Sequence, residues 1–99
     1  MNAQITKTYR PLGQTVIRRI GDDTLLVPVS GPPAGGRVYP VNETALIVWQ
    51  CLSDGGTVLR AAEMLCEQFE ETSLQQALAD CQDCAQAFVE ELLLEKCQA

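Results

Sequence analysis

In the stretch "RVYPVNETALIVW", residues 37–49, an extended pattern runs straight into a helical one. Up to Val41 the side chains alternate, with Arg37, Tyr39 and Val41 on one side and Val38 and Pro40 on the other. Pro40 has no N–H to give to a ladder, so this strand belongs at a sheet edge. Asn42 then offers a side-chain oxygen suited to an N-cap. Ala45, Leu46, Val48, Trp49 and Leu52 follow on a broad apolar side at helical spacing. A strand joined to a capped helix with no loop between them fixes how the helix leaves the sheet.

The flanking sequence extends this junction in both directions. "TVIRRI" (15–20) and "TLLVPV" (24–29) are rich in β-branched residues and flank a turn at Gly21-Asp22-Asp23. Pro28 predicts that pairing on one side of the second run ends near it. "SGPPAGG" (30–36) reads as a loop, and 37–41 is the third strand. After the first helix, "SDGG" (53–56) is a stop signal. Thr57 caps a second helix carrying Val58, Ala61, Ala62, Leu65 and Phe69. Ser73 caps a third, whose stripe of Leu74, Ala77, Leu78, Cys81, Ala85, Phe88, Leu92 and Leu93 predicts a helix of about 20 residues. The order is βββααα. Such a sheet must cover its apolar face with helices. The expected fold is therefore α+β and winged helix-turn-helix-like, a small three-stranded antiparallel sheet followed by three helices. At 99 residues the chain suits a single domain over 1–99, with residues 1–12 expected as a flexible or loosely packed arm.

Charge and cysteine content narrow the function. The net charge of -6 is unevenly spread: residues 1–41 carry +3, and residues 42–99 carry -9. The halves are set to attract each other, or to offer a partner two differently charged edges. No apolar run approaches the ~20 residues of a bilayer span. "MNAQITKTYRPLG" lacks the apolar segment of a signal peptide, so the cytoplasm is the expected compartment and no membrane partner is expected. The five cysteines are odd in number and lie in helical sequence, unlike a secreted disulfide framework.

Catalytic chemistry finds little support. There is no histidine, hence no ordinary Ser-His or Cys-His pair. Cys81 and Cys84 form a CxxC, but zinc needs about four ligands and no second pair exists. The two thiols read best as small apolar core groups; a redox pair would favour a helix N-terminus, where the thiolate is stabilised. Glu70/Glu71 and Glu90/Glu91 read as solvated helix faces, and "SGPPAGG" lacks the Lys-Ser end of a phosphate loop. Neither an enzyme nor a metal or other cofactor is expected. Nucleic acid is not expected either: from Ser73 to Glu95 the third helix has five acids and no Arg or Lys, which repels phosphate.

Binding of another chain remains. An exposed edge accepts a peptide as one more strand, with main-chain bonds supplying part of the affinity and side chains reading the sequence. The third strand is the candidate edge, open at Arg37 to Tyr39 and blocked beyond by Pro40, which also guards against aggregation. An exposed edge and a helical stripe permit a homodimer without requiring one.

The string Asn42, Thr44, Ala45, Trp49, Asp54, Gly55 and Thr57, with Phe88 and Leu92 downstream, resembles the pattern of the PqqD family over roughly residues 10 to 97. Departures are Val41 where the family often has Leu, Cys84 and Ala85 where it favours an acid and an aliphatic residue, and "LEKCQA" in place of a Gly-aliphatic finish. The resemblance implies a RiPP recognition element. Such a domain is a non-catalytic peptide chaperone: it binds the leader segment of a ribosomally made precursor and presents it to a modifying enzyme, often a radical SAM enzyme. It implies a groove between the third strand (Arg37, Val38, Tyr39) and the last helix (Gln75, Leu78, Ala79, Gln82). Asn42, Thr44, Ala45, Trp49, Thr57 and Phe88 are then structural. The alternative is a transcription-related winged helix acting through protein contacts or weak DNA binding. A third reading is a thiol sensor built on Cys81 and Cys84.

Overall fold

The computed structural model describes residues 3–32 and 34–97. A 3₁₀ turn (Ala3–Thr6) leads into β1 (Tyr9–Pro11), β2 (Thr15–Ile20), β3 (Asp23–Pro28) and β4 (Tyr39–Val41). These are followed by α1 (Glu43–Ser53), α2 (Val58–Gln68), α3 (Leu74–Glu90) and β5 (Leu94–Lys96). β2, β3 and β4 form an antiparallel sheet in that order. With the three helices after it, this is the expected winged-helix-like βββααα arrangement. β1 and β5 add a second, two-stranded sheet that the sequence did not announce.

β2 and β3 close around Gly21 and Asp22, with Ile20 opposite Asp23. Gly21 has φ +63°, which suits the first central position of a type II′ turn and matches the twist of the strands. Asp23 belongs to β3 and not to the turn.

Prolines set the reach of β4. The Val29 N–H donates to the Gln14 carbonyl at 2.8 Å, so odd-numbered residues along this part of the chain turn their backbone groups toward β2, and even-numbered ones toward β4. Pro28 would face β4 at the level of Arg37 and has no N–H to give. The register accordingly ends with Leu26 opposite Tyr39. The strand expected over 37–41 is thus shorter, and Arg37 and Val38 precede it. Pro40 lies opposite Leu25, whose backbone groups turn the other way. The missing donor of Pro40 therefore falls on the open edge and costs the β3–β4 ladder nothing.

Two further expectations are corrected. The last helix does not run on to Leu92 and Leu93. The Leu92 N–H donates to the Val89 carbonyl at 3.1 Å and the Leu93 N–H to the Phe88 carbonyl at 2.9 Å. Leu92 has φ +63°. This is a Schellman ending, with a left-handed leucine where glycine is usual. Leu93 and Leu94 are then buried beyond the helix. The N-terminal segment, for its part, is not loosely packed over residues 9–11: these pair with Leu94–Lys96, and Tyr9 is buried. Thr8 forms a bridge with Thr57, and the Cys97 N–H donates to the Thr8 carbonyl. Met1 and Asn2 of the expected arm lie outside the described residues.

The core gathers one face of each helix with the sheet. Val48, Trp49 and Leu52 of α1, Ala61, Ala62 and Leu65 of α2, and Ala77, Cys81, Ala85 and Phe88 of α3 pack with Leu26, Leu93 and Leu94. The three cap side chains each accept a backbone N–H: Asn42 from Ala45, Thr57 from Arg60 and Ser73 from Gln76. Each such cap contributes about 1 kcal/mol.

Candidate functional site

β4 is an edge strand whose outer side pairs with no other strand among the described residues. Two side-chain contacts lie at its flanks. The Gln68 amide at the end of α2 donates to Glu43, in the first turn of α1, at 3.1 Å. At the other end Arg37 and Glu91 approach to 3.8 Å. The C-terminal end of α3 therefore lies near the residues that precede β4.

Along the open edge, even-numbered residues present their backbone outward by the same alternation. Val38 offers both an N–H and a carbonyl, and Pro40 a carbonyl alone. The Asn42 carbonyl is taken by the Leu46 N–H at 2.9 Å. Val38 is exposed, Tyr39 half-buried against the core, and Pro40 exposed.

On α3, Gln75 and Ala79 are exposed, Gln82 is half-buried, and Leu78 is half-buried against the core. Gln75, Leu78 and Gln82 share one stripe of the helix and Ala79 flanks it. None of these four makes a hydrogen bond or ion pair to Arg37, Val38 or Tyr39 among the described residues. The contact that does join α3 to the strand comes from Glu91, on the stripe that carries Cys84 and Ala87. Sequence reasoning passed Glu91 over as a solvated helix acid; the signal available was the opposite charge of the two halves.

That charge opposition is realised in the fold. Arg10 pairs with Glu95 at 3.1 Å, and Arg37 with Glu91. Each of these pairs joins the basic first part of the chain to its acidic end. Beside Arg37 lies the Tyr39 hydroxyl, two residues on and on the same side of the extended chain. The Tyr39 hydroxyl is buried and has no hydrogen-bond partner. The Arg37 guanidinium stands next to it without closing a bond of good geometry, and the Tyr39 oxygen, then Glu91, hold the Arg37 pKa above its ordinary value.

Other surfaces carry less chemistry. Burial pushes the Cys81 thiol up to about 12 and raises Cys84 as well, with nearby Asp80 adding to both. A thiolate there is disfavoured, the reverse of what a reactive CxxC requires. No group of three or more His, Cys, Asp or Glu among the described residues is placed to hold a metal ion. A concavity of about 580 Å³ lined by Pro11, Gly13, Gln14, Thr15, Ser30, Trp49 and Ser53 opens on the β2 side, without a charged side chain. Arg18 and Arg19 are exposed on the β2–β3 hairpin beside the exposed Asp22 and Asp23, so that wing is charge-balanced. No helix among the described residues is long and apolar enough to cross a membrane.

A winged-helix-like domain with a free sheet edge is, as a class, a binding module. The family described as Coenzyme PQQ synthesis protein D (PqqD) matches residues 26–96, from the middle of β3 to the end of β5, and the chain belongs to the PqqD family. No curated protein and no solved structure matches the chain. PqqD-family proteins are non-catalytic; they bind precursor peptides and associate with a modifying enzyme.

Proposed function

We propose that this chain binds the leader segment of a ribosomally synthesised precursor peptide by strand addition to β4, and presents it to a radical SAM enzyme in the cytoplasm. The observation that carries this reading is the unpaired outer edge of β4, with Arg37, two residues ahead of it, meeting the end of α3 through Glu91. A peptide strand there takes main-chain bonds from Val38 and from the Pro40 carbonyl, and stops at Pro40 for want of a donor. Arg37 and Tyr39 read its side chains from the strand. Gln75, Leu78, Ala79 and Gln82, together with Cys84 and Ala87, are the helix residues available to form the other wall.

Titration with candidate precursor peptides, followed by amide shift mapping, tests the reading. The expected shifts centre on residues 37–40 and on α3. Shifts confined to the β2–β3 hairpin or to the concavity beside Trp49 would overturn the proposed site. Co-purification with a radical SAM enzyme, strengthened by the leader, tests the partner.

A further inference from the structure

The Arg37–Glu91 pair joins the chain two residues before β4 to the C-cap of α3. Its partners are 3.8 Å apart, with side chains 72% and 48% exposed. An exposed pair at that distance contributes little to stability, so it exchanges readily for a better partner. Underneath, the Tyr39 hydroxyl is the one buried side-chain polar atom left without a hydrogen bond among the described residues. A buried donor left unmade is costly, and native proteins rarely tolerate it without a use. The site thus combines a cation held by a weak, replaceable carboxylate with a hydroxyl waiting for an acceptor.

Resting on the strand-addition reading above, we infer that Arg37 and the Tyr39 hydroxyl form a receptor for a carboxylate side chain of the bound peptide, and that Glu91 occupies the place of that carboxylate in the free protein. The surroundings sharpen the selectivity. α3 and its C-cap carry Asp80, Asp83, Glu90 and Glu91 and no basic residue. Arg37 is therefore the cation through which an acidic peptide residue finds attraction beside a helix that otherwise repels it. The peptide is read as having one Asp or Glu near the Arg37 end of the added strand, where the chain is still free of Pro40. Glu91 makes the site self-competing: a peptide without the acid must displace the Arg37–Glu91 pair and gains nothing in return.

The test uses the full chain and two synthetic peptides. One is the leader of a precursor peptide that contains Asp or Glu; the other is the same leader with every Asp and Glu replaced by Asn and Gln. With the native chain the acidic leader should bind about tenfold more tightly than its neutral counterpart, as for a hydrogen bond to a charged group. Arg37→Gln should abolish that difference, and Glu91→Gln should tighten the acidic leader by about two- to fivefold, the range of an exposed pair removed as competitor. Tyr39→Phe should weaken the acidic leader while leaving the free protein as stable or more stable, because it deletes an unpaired buried hydroxyl. A purely structural Tyr39 would show the opposite pattern. Equal binding of the two peptides, or a Glu91→Gln variant that binds more weakly, overturns the carboxylate receptor and leaves strand addition standing. Failure of either leader to bind at all overturns the strand-addition reading, and this inference with it.

Discussion

The Trp49 indole meets the Phe88 ring edge-on, with centroids 5.3 Å apart and planes at 72°. This contact joins the helix that leaves β4 to α3, so it sets how the two helices sit against each other as well as filling the core. Such edge-to-face pairs add about 0.5–1.5 kcal/mol beyond their buried area. Truncation should be severe. Phe88→Ala is expected to cost about 3–5 kcal/mol in urea unfolding followed by Trp49 fluorescence. That is a large share of the ~5–15 kcal/mol typical of a domain. Phe88→Leu, which keeps most of the volume but loses the ring pair, should cost about 1–2 kcal/mol.

The ending of α3 predicts a stabilising substitution. Leu92 holds φ +63° and is 50% exposed, so it carries the strain of the left-handed region and recovers little by burial. For a non-glycine residue that conformation costs roughly 1–2 kcal/mol. Leu92→Gly keeps both Schellman bonds and relieves the strain, at some cost in unfolded-chain entropy. The expected net gain is about 0.5–1 kcal/mol, visible as a rise in Tm of a few degrees. A loss of stability would mean that the Leu92 side chain packs more than its exposure indicates.

The same residue shows why part of the fold was illegible. Asn42, Thr57 and Ser73 were readable because a capping oxygen followed at once by an apolar helical period is a local signal. Leu92, Leu93 and Leu94 prolong that period past the true end of α3, and no glycine marks the reversal. β5 needs β1 as its partner, and Tyr9 lies opposite Lys96. No local pattern reports a three-residue pairing across nearly the whole chain. At the site, Arg37 and Tyr39 were readable by alternation and Pro40 by its missing donor. Glu91 was not, because an acid at a helix end looks the same in sequence whether solvent or an arginine faces it.

The buried thiols predict a direction of pH dependence. Cys81 is raised from 9.0 to about 12, with burial as the first cause. In the unfolded chain the thiol ionises near its ordinary value while the folded chain retains the proton. The contribution is therefore fully present below about 9 and is lost as pH rises toward about 12. Unfolding free energy should fall over that interval, and Cys81→Ala should flatten the decline even though it lowers stability at neutral pH. Iodoacetamide at pH 8 should label neither Cys81 nor Cys84 rapidly in the folded protein. Fast labelling of this pair would revive the thiol-sensor reading.

Val38 provides a test of strand addition that stability does not confound. Its N–H faces the open edge and lies outside the β3–β4 ladder, which ends at Tyr39. Val38→Pro removes that outward donor and leaves the fold's own hydrogen bonds in place. Leader affinity should fall by tenfold or more on the scale of ~1.4 kcal/mol per decade, with Tm nearly unchanged. Val38→Ala should retain most of the binding, since main-chain bonds supply it. If the alanine and proline variants lose affinity equally, the valine side chain is what the peptide uses.

Pro40 gives the complementary experiment. Its missing N–H falls on the outer edge, opposite Leu25 on the inner one, so restoring a donor there should leave the sheet intact. Pro40→Ala would give the edge a donor at a second outward position and let a peptide strand continue toward Val41. The leader should bind more tightly and its protected amides should extend further. The same change removes the device that keeps one edge from accepting another. The variant should therefore also self-associate at concentrations where the native chain does not, as read by sedimentation velocity, and saturating leader should suppress that association because both compete for one edge. Tighter leader binding without any competition between leader and self-association would place the two on different surfaces, and the β4 edge would lose its claim to the peptide.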